Sequence, residues 1–323
     1  MRAAGPATLA RERAPAGWAR YLRPPRQVIV ESSSRCNFLC PLCLWTKNKR
    51  HGYLDVDTFA RFLDGAAVTT ELLCFSGRGE PTLNPALFDV LALAVDAGVP
   101  TDLVTNGSNL LRDVDAILES GIDNINVSID ADNAEDYVRY RVNGIFDDVV
   151  AGMRLLAEEK RRRGIVKPVL RTCSVMFEYN AGRLDDLRRF FGDLGFETFI
   201  FKSAHLGHGQ LGESPDVLEK RWLPRDPSLV RLGRAGPSSG PPRCEFLHRG
   251  HLLWNGDVCR CAIDHVQMVV GNVNEEPFED IWAGEASRRA VEQIVEGRFD
   301  KCTGCWLRGD RHAAETEDGL FLI

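Results

Sequence analysis

Three of the ten cysteines in this 323-residue chain lie in the short run CNFLCPLC. Cys36, Cys40 and Cys43 form a C-x3-C-x2-C pattern directly after the apolar segment QVIVE. Thiolates spaced this closely are typical iron–sulfur ligands, and three of them would leave one iron of a 4Fe–4S cube without a protein ligand. An open coordination site distinguishes catalytic metal centres from structural ones. A zinc site with a distant fourth ligand is the alternative.

A second group of cysteines lies in the last eighty residues: Cys244, Cys259, Cys261, Cys302 and Cys305. Cys302 and Cys305 are separated by two residues, which is the spacing of a metal-ligand pair. Clustered cysteines in a long chain without a secretory signal indicate metal binding rather than disulfides, and they predict a cytoplasmic protein.

The segments between and around these cysteines alternate between strand-length apolar runs and helix-length amphipathic runs. Six strands alternating with five helices predict an α/β fold, a partial parallel (β/α)6 barrel whose chemistry lies at the carboxyl ends of the strands. The predicted strands are Gln27–Glu31, Glu71–Ser76, Thr101–Thr105, Asn124–Asp130, Val166–Phe177 and Thr198–Lys202. The predicted helices are Asp55–Ala66, Pro85–Ala97, Leu110–Ser120, Asp147–Arg163 and Leu184–Leu194.

Changes in composition divide the chain into four parts. We expect an N-terminal extension at 1–26, the barrel at 27–202, a Gly-, Pro- and Ser-rich linker or loop at 203–243, and a small C-terminal domain at 244–323. That domain begins with a hairpin around Asn255-Gly256, a strong turn dipeptide, and continues with two short helices.

The net charge of −6 and the pI near 5.7 oppose a general nucleic-acid binder and favour a cationic small-molecule substrate. No stretch approaches the ~20 apolar residues of a membrane span, so no membrane partner is expected. The hydrophobic fraction of 44% is ordinary for a globular protein that buries a core.

From about Val28 to Lys202 the sequence resembles the radical S-adenosylmethionine (SAM) superfamily, in which a three-cysteine loop binds the SAM-cleaving cluster. The second strand ends in SGRGEP, which is similar to the family's glycine–glutamate motif, although Arg78 separates two glycines that are usually adjacent. This likeness implies that Glu80 holds the methionine amino group of SAM.

Two further strand ends carry the resemblance. The third strand ends in Thr105-Asn106-Gly107, and the fourth ends in Ser128-Ile129-Asp130, where the family often binds the SAM ribose through a serine. Asn106 and Ser128 are therefore implied cofactor-binding residues. The family's chemistry implies SAM as cofactor, an electron donor such as flavodoxin or ferredoxin, and a 5′-deoxyadenosyl radical that abstracts hydrogen from the substrate.

The C-terminal part resembles the SPASM and shorter twitch domains of this superfamily. The spacing from Cys244 through Gly256 to Cys261 and the run GNVNEEPFEDIW carry the likeness. Too few cysteines remain for a full SPASM domain, so a twitch domain with one auxiliary cluster is implied, making two 4Fe–4S clusters in the chain. Its four ligands would be Cys244, Cys261, Cys302 and Cys305, with a zinc site as the alternative.

Cys259 is then left over. A strand period of two places Cys259 on the same face as Cys261, beside the auxiliary cluster. Because some radical SAM epimerases use a cysteine as hydrogen donor, Cys259 is the candidate catalytic residue. Alternatively, Cys259 replaces Cys261 as ligand or is a buried apolar residue. Cys173 is a rival donor if it faces the barrel interior, and Cys74 is expected in the core.

The small C-terminal domain resembles those of the sugar- and cyclitol-modifying enzymes of aminoglycoside biosynthesis. We therefore expect an aminoglycoside or amino-sugar epimerase. The alternative is a dehydrogenase that uses the auxiliary cluster as electron acceptor. A peptide maturase is less favoured, because only 35 residues precede Cys36 and such enzymes often carry an N-terminal recognition domain. Asp264 and His265, just after Cys261, are candidate substrate contacts.

Overall fold

A computed structural model describes residues 19–43, 51–206, 214–230, 244–302, 305, 314–315 and 320–322. These residues form one eleven-stranded sheet in the order β10-β11-β6-β5-β4-β3-β2-β1-β7-β8-β9. The strands are β1 (Gln27–Val30), β2 (Leu72–Phe75), β3 (Thr101–Thr105), β4 (Asn124–Ser128), β5 (Val169–Met176), β6 (Thr198–Ser203), β7 (Arg249–Leu252), β8 (Asp257–Cys259), β9 (Val269–Asn272), β10 (Ala314–Glu315) and β11 (Leu320–Leu322).

The helices of the described residues alternate with the first six strands and then cover the C-terminal part. They are α1 (Val56–Ala66), α2 (Leu87–Asp96), α3 (Leu110–Glu119), α4 (Ala134–Tyr140), α5 (Phe146–Arg162), α6 (Leu184–Asp193), α7 (Pro215–Trp222), α8 (Phe278–Ala283) and α9 (Glu285–Val295). Within this part of the chain, no helix combines the length and the apolar character needed to cross a bilayer.

Strands β1 to β6 pair in parallel in sequence order, which confirms the predicted partial barrel. Their outer face packs on the helices, as where the rings of Phe59 in α1 and Phe75 in β2 lie 5.7 Å apart. Because side chains alternate along a strand, Cys74 lies on the inner face, between the fully buried Leu73 and Phe75. Cys74 is half-buried there, so the expectation that it belongs to the core stays a prediction.

The sheet continues directly from the barrel into the C-terminal part. β7 pairs in parallel with the free edge of β1, with His251 opposite Ile29, and β8 and β9 follow as antiparallel strands. The predicted hairpin around Asn255-Gly256 is confirmed. Gly256 has φ +87°, and a Cβ there would lie 2.5 Å from the Asn274 side chain, so this turn requires glycine.

Two helices were not predicted. α4 begins after Asn133, whose side chain accepts a hydrogen bond from the backbone N–H of Asp136 at 2.9 Å. α7 lies in the segment that was expected to be a linker, and the ring of its Trp222 lies 5.4 Å from that of Phe177. Both helices are short, so their apolar periodicity is weak, and they form by packing against the end of the barrel.

A fully buried arginine holds the C-terminal part together. Arg260 donates hydrogen bonds to the Ser287 hydroxyl at 2.7 Å and to the carbonyls of Tyr21 and Leu247 at 3.0 and 3.3 Å. Its guanidinium lies 3.3 Å from the centre of the Trp282 ring. Burial lowers the pKa of Arg260 to about 9, so the side chain remains charged at neutral pH. The N-terminal extension, the loop before β7 and the last two helices thus meet at one cation.

We expect Arg260→Met to lower the free energy of unfolding by at least about 3 kcal/mol, because it leaves several buried acceptors without donors. Chemical denaturation of the iron-loaded protein under anaerobic conditions measures this loss. The matched control is Arg289→Met, which removes an exposed pair with Glu285 and should cost less than about 1 kcal/mol. Equal losses for the two variants would contradict the role of Arg260.

Candidate active site

The three-cysteine loop follows β1 directly, at the carboxyl end of the barrel. Cys40 is buried, and Cys36 and Cys43 are half-buried. The backbone N–H of Phe38 donates to the Cys36 sulfur at 3.5 Å. Burial, with smaller contributions from the nearby Glu80, Cys40 and Cys43, raises the pKa of the Cys36 thiol to about 12. The donor set therefore fits an iron–sulfur cluster, whose binding releases the thiol protons.

Zinc was the alternative for each cysteine group. Among the described residues, no three His, Cys, Asp or Glu side chains are arranged to hold a single metal ion. Tetrahedral zinc needs its four ligands around one point, whereas the thiolates of a 4Fe–4S site each bind a separate iron. A mononuclear zinc site and a 4Fe–4S site therefore require different spacings of the same thiols.

Glu80 lies at the centre of a hydrogen-bond network at the ends of β2 and β3. Its Oε1 accepts from the Thr82 backbone N–H and from the hydroxyls of Thr82 and Thr105, at 3.1, 2.7 and 2.6 Å. Its Oε2 accepts from the Asn106 backbone N–H at 2.7 Å. Burial raises the pKa of this carboxyl, and the four donors oppose that rise. One oxygen is saturated, and Oε2 can accept one more donor.

Asn106 joins the end of β3 to the cysteine loop. Its side-chain N–H group donates to Asn37 at 2.9 Å and approaches the Cys36 sulfur at 4.0 Å. Ser128 ends the next strand, β4, where it is half-buried and lies opposite Cys173 in the parallel ladder. The structure thus brings Glu80, Asn106 and the cysteine loop together and places Ser128 one strand away. Their contacts to SAM stay a prediction.

A buried ion pair beside the loop was missed by sequence reasoning. Arg141 donates to Asp130 at 2.6 Å, and Asp130 also accepts from the Val175 backbone N–H at 2.7 Å. Burial raises the pKa of the Cys40 thiol to about 11, and the Arg141 cation opposes that rise. Arg141 directly follows α4. The helix-capping residue Asn133 is the sequence feature that could have predicted α4 and, with it, the position of Arg141.

The four predicted ligands of the auxiliary cluster also lie together. Burial, with smaller contributions from the nearby Cys261, Cys305 and Cys302, raises the pKa of the Cys244 thiol to about 12. The backbone N–H groups of Ile263 and Asp264 each donate to the Cys261 sulfur at 3.4 Å. Hydrogen bonds of this kind tune cluster sulfurs. The donor set therefore fits a second iron–sulfur cluster.

The argument that placed Cys259 beside this cluster needs correction. β8 ends at Cys259, after a register shift between Val258 and Cys259, and Cys261 lies in the turn that follows. The two residues therefore do not share a strand face. Cys259 is fully buried, and its thiol donates to the carbonyls of Cys261 and Asp264 at 3.4 and 3.1 Å. The candidate substrate contact Asp264 is likewise engaged, by Lys301 and by two backbone N–H groups.

Arg78, the residue that interrupts the glycine motif, connects the two cysteine groups. Its backbone N–H donates to Glu31 at 3.2 Å, and its guanidinium donates to the carbonyl of Ile263 in the turn after Cys261. Gly79 lets this loop approach the cysteine loop, because a Cβ there would lie 2.2 Å from the Ser33 carbonyl oxygen. The implied SAM-binding loop and the auxiliary loop are therefore in direct contact.

Family comparisons agree with this geometry. The model of the radical SAM superfamily matches residues 30–191, and that of the SPASM iron–sulfur cluster-binding domain matches residues 244–306. The chain belongs to the radical SAM superfamily. As a radical SAM protein it binds SAM and a 4Fe–4S cluster, and its SPASM-type domain binds iron–sulfur in addition.

Two relatives align with almost the full length of this radical SAM protein. It is 33% identical to the AdoMet-dependent heme synthase of Methanosarcina barkeri, over 92% of this chain and 94% of that protein. It is 24% identical to the tungsten-containing aldehyde ferredoxin oxidoreductase cofactor-modifying protein of Pyrococcus furiosus, over 91% and 90%. The fold resembles Streptococcus suis SuiB bound to precursor peptide SuiA, with TM-score 0.66, 15% identity, and 90% and 72% of the two chains covered.

We expect the reconstituted protein to hold about eight irons, four for each of two clusters. Replacing Cys36, Cys40 and Cys43 together with alanine should remove about four irons and abolish SAM cleavage, and Cys261→Ala should remove the auxiliary iron. Iron analysis of the anaerobic protein measures both. Cys74→Ala is the control and should keep all the iron. A total of four irons in the intact, fully reconstituted protein would sink the two-cluster assignment.

Glu80→Gln tests the carboxylate at the centre of the network. Both carboxylate oxygens of Glu80 accept hydrogen bonds, so the amide N–H group of glutamine would face a hydrogen-bond donor. The substitution also removes the negative charge. We expect SAM affinity to fall at least about tenfold, equivalent to ~1.4 kcal/mol, in calorimetric titration of the iron-loaded protein. Glu71→Gln, at an exposed pair with Arg26, should bind SAM normally. Unchanged SAM affinity in Glu80→Gln would argue that Glu80 has only a structural role.

Proposed function

We propose that this radical SAM enzyme is an oxidoreductase that removes hydrogen from a small molecule held between its two cysteine groups. The observation that carries the proposal is the Arg78 link. Because Arg78 joins the glycine–glutamate loop to the Cys261 turn, the loops that carry the two sites are in direct contact. A substrate beside this contact is within reach of both sites.

SAM and the clusters, when bound, supply a hydrogen-abstracting adenosyl radical and a route for electrons. The residues of the chain hold and orient these groups. Glu80 and Asn106 fix the loop beside Cys36, and the Arg141–Asp130 pair presents a cation to Cys40. The buried surroundings of these groups keep water from a radical intermediate.

The burial of Cys259 favours an oxidoreductase over the expected epimerase. A hydrogen donor must reach the substrate radical, whereas the Cys259 thiol is fully buried and bonded to two backbone carbonyls. The epimerase remains a second candidate function, because Cys173 on the inner face lies opposite Ser128, next to the predicted ribose site. In that case Cys173 is better placed than Cys259 to donate hydrogen.

The names of the two relatives that align with almost the whole chain support a cofactor, or a precursor of one, as the substrate. One relative is a heme synthase and the other is a cofactor-modifying protein, and both align over nine-tenths of this chain. An aminoglycoside, the substrate expected from sequence, has no comparable support among these relatives. SuiB binds a peptide, but at 15% identity the likeness shows only the fold. Flavodoxin or ferredoxin remains the proposed electron donor.

Turnover in deuterated water separates the candidate reactions. The iron-loaded enzyme is given SAM, a reductant and candidate tetrapyrroles, amino sugars or peptides, and the products are analysed by mass. An oxidoreductase should release 5′-deoxyadenosine and a product that has lost hydrogen. Cys259→Ala should leave this reaction unchanged, because its thiol does not reach the substrate. A product of unchanged formula carrying one solvent deuterium would instead establish the epimerase, and its loss in Cys173→Ala but not in Cys259→Ala would identify the donor.

A further inference from the structure

The inner face of the barrel carries more cations than carboxylates. We call the space bounded by the inner faces of β1 to β7 the lumen. Strand alternation places Arg171 in β5, Lys202 in β6 and Arg249 in β7 on this face, and Asp102 in β3 is a carboxylate on the same face. Within the strands this face therefore carries three cations and one carboxylate, although the chain as a whole carries −6. Just past the ends of β1 and β4, the carboxylates of Glu31 and Asp130 contact Arg78 and Arg141.

One of these cations is already paired. Arg171 lies 3.8 Å from Asp102, and the Asn124 side chain donates a hydrogen bond to the same carboxylate. This pair occupies the side of the lumen formed by β3, β4 and β5. It leaves Lys202 and Arg249 as the cations that face the rest of the lumen.

Lys202 and Arg249 both lie near Cys74, as does Asp102, but among the described residues neither cation has a carboxylate within ion-pair distance. The neighbours of the Lys202 ammonium are the thiols of Cys173 and Cys74 and the guanidinium of Arg249. Lys202 lies on the inner face, opposite Val175, and is nevertheless accessible to water. Two like charges repel, and an anion between them would relieve that repulsion.

An unsatisfied polar group lies beside these cations. His251, two residues after Arg249, is only 3% exposed, and its Nε2 has no hydrogen-bond partner among the described residues. Burial and the cations Arg249 and Arg78 lower the pKa of His251 to about 3, so the ring is neutral. A neutral imidazole can still give or accept a hydrogen bond, and a buried group of this kind is normally satisfied.

We propose that the lumen binds a substrate carboxylate between Lys202 and Arg249, and that the substrate is an anionic, carboxylate-bearing small molecule. The planar guanidinium of Arg249 suits the two oxygens of a carboxylate, and Lys202 supplies a point charge. His251 is placed to hydrogen-bond the same ligand. This inference rests on the proposed function, since it names the class of the substrate, whose carboxylate would lie deeper in the barrel than the cysteine groups because Arg249 is opposite Gln27 at the start of β1. It reverses the sign of substrate charge expected from sequence.

The test uses three five-carbon probes of different charge: glutarate, its diamide glutaramide, and 1,5-diaminopentane. Each is titrated by ligand-observed NMR into the iron-loaded protein, with saturating SAM so that sites for the SAM carboxylate are filled. We expect glutarate to bind with a dissociation constant on the order of 10 mM, as suits a fragment of this size, and the other two not to bind. Added salt should weaken glutarate binding.

Variants locate the site. Lys202→Met and Arg249→Met should each weaken glutarate binding at least about fivefold, and Lys202→Arg should stay within about threefold of the wild type because it keeps the charge. Lys220→Met, which removes an exposed lysine of α7, is the matched control and should bind glutarate normally. Iron content and SAM binding establish that each variant is folded.

The proposal is overturned if diaminopentane binds more tightly than glutarate, if glutarate does not bind at all, or if Lys202→Met binds it as the wild type does. Binding of inorganic phosphate without glutarate would show that the carboxylate class is wrong. The product mass after turnover in deuterated water tests the proposed function separately. A product of unchanged formula would contradict the oxidoreductase and leave the glutarate titration interpretable, whereas a failed titration would not change the product mass.

Discussion

The pairing of β1 on both of its edges fixes the geometry of the site. One edge of β1 joins β2, which leads to the glycine–glutamate loop, and the other joins β7, the first strand of the cluster-binding part. The three-cysteine loop leaves the carboxyl end of the same strand. A single four-residue strand therefore sets how far the SAM-binding loop, the first cysteine group and the second cysteine group lie from one another. Because both ladders are made of backbone hydrogen bonds, this arrangement does not depend on any one side chain.

Periodicity predicted the barrel and spacing predicted the ligands, but neither could predict contacts between distant segments. The six strands and the hairpin at Asn255-Gly256 follow from local patterns, and both were confirmed. The placement of Cys259 failed because a period of two holds only while the strand lasts, and β8 ends at Cys259. The Arg141–Asp130 pair depends on the short helix α4, whose stability comes from packing rather than propensity.

The charge on the inner face of the barrel could not be predicted from the net charge of the chain. A net charge counts every exposed side chain equally, whereas a ligand in the lumen is affected most by charges that water screens poorly. Many carboxylates of this chain lie on outer surfaces or are paired with arginine, as Glu159 is with Arg162 and Arg163. Lys202 and Arg249 face inward without such a partner among the described residues. The net charge of −6 and a cationic lumen are therefore compatible, and the local sign is the one that matters for a bound substrate.

In both cysteine groups the thiols are at least partly buried, so their charged form needs a compensating positive charge. A buried thiolate without a counter-ion is costly, and burial raises the pKa of Cys36 and of Cys244 to about 12. Before iron binds, these thiols therefore stay protonated and uncharged, so the folded chain does not carry several buried negative charges. Iron then displaces the protons and supplies the positive charge that makes buried thiolates stable. The backbone N–H groups that donate to Cys36 and Cys261 already point at the sulfurs.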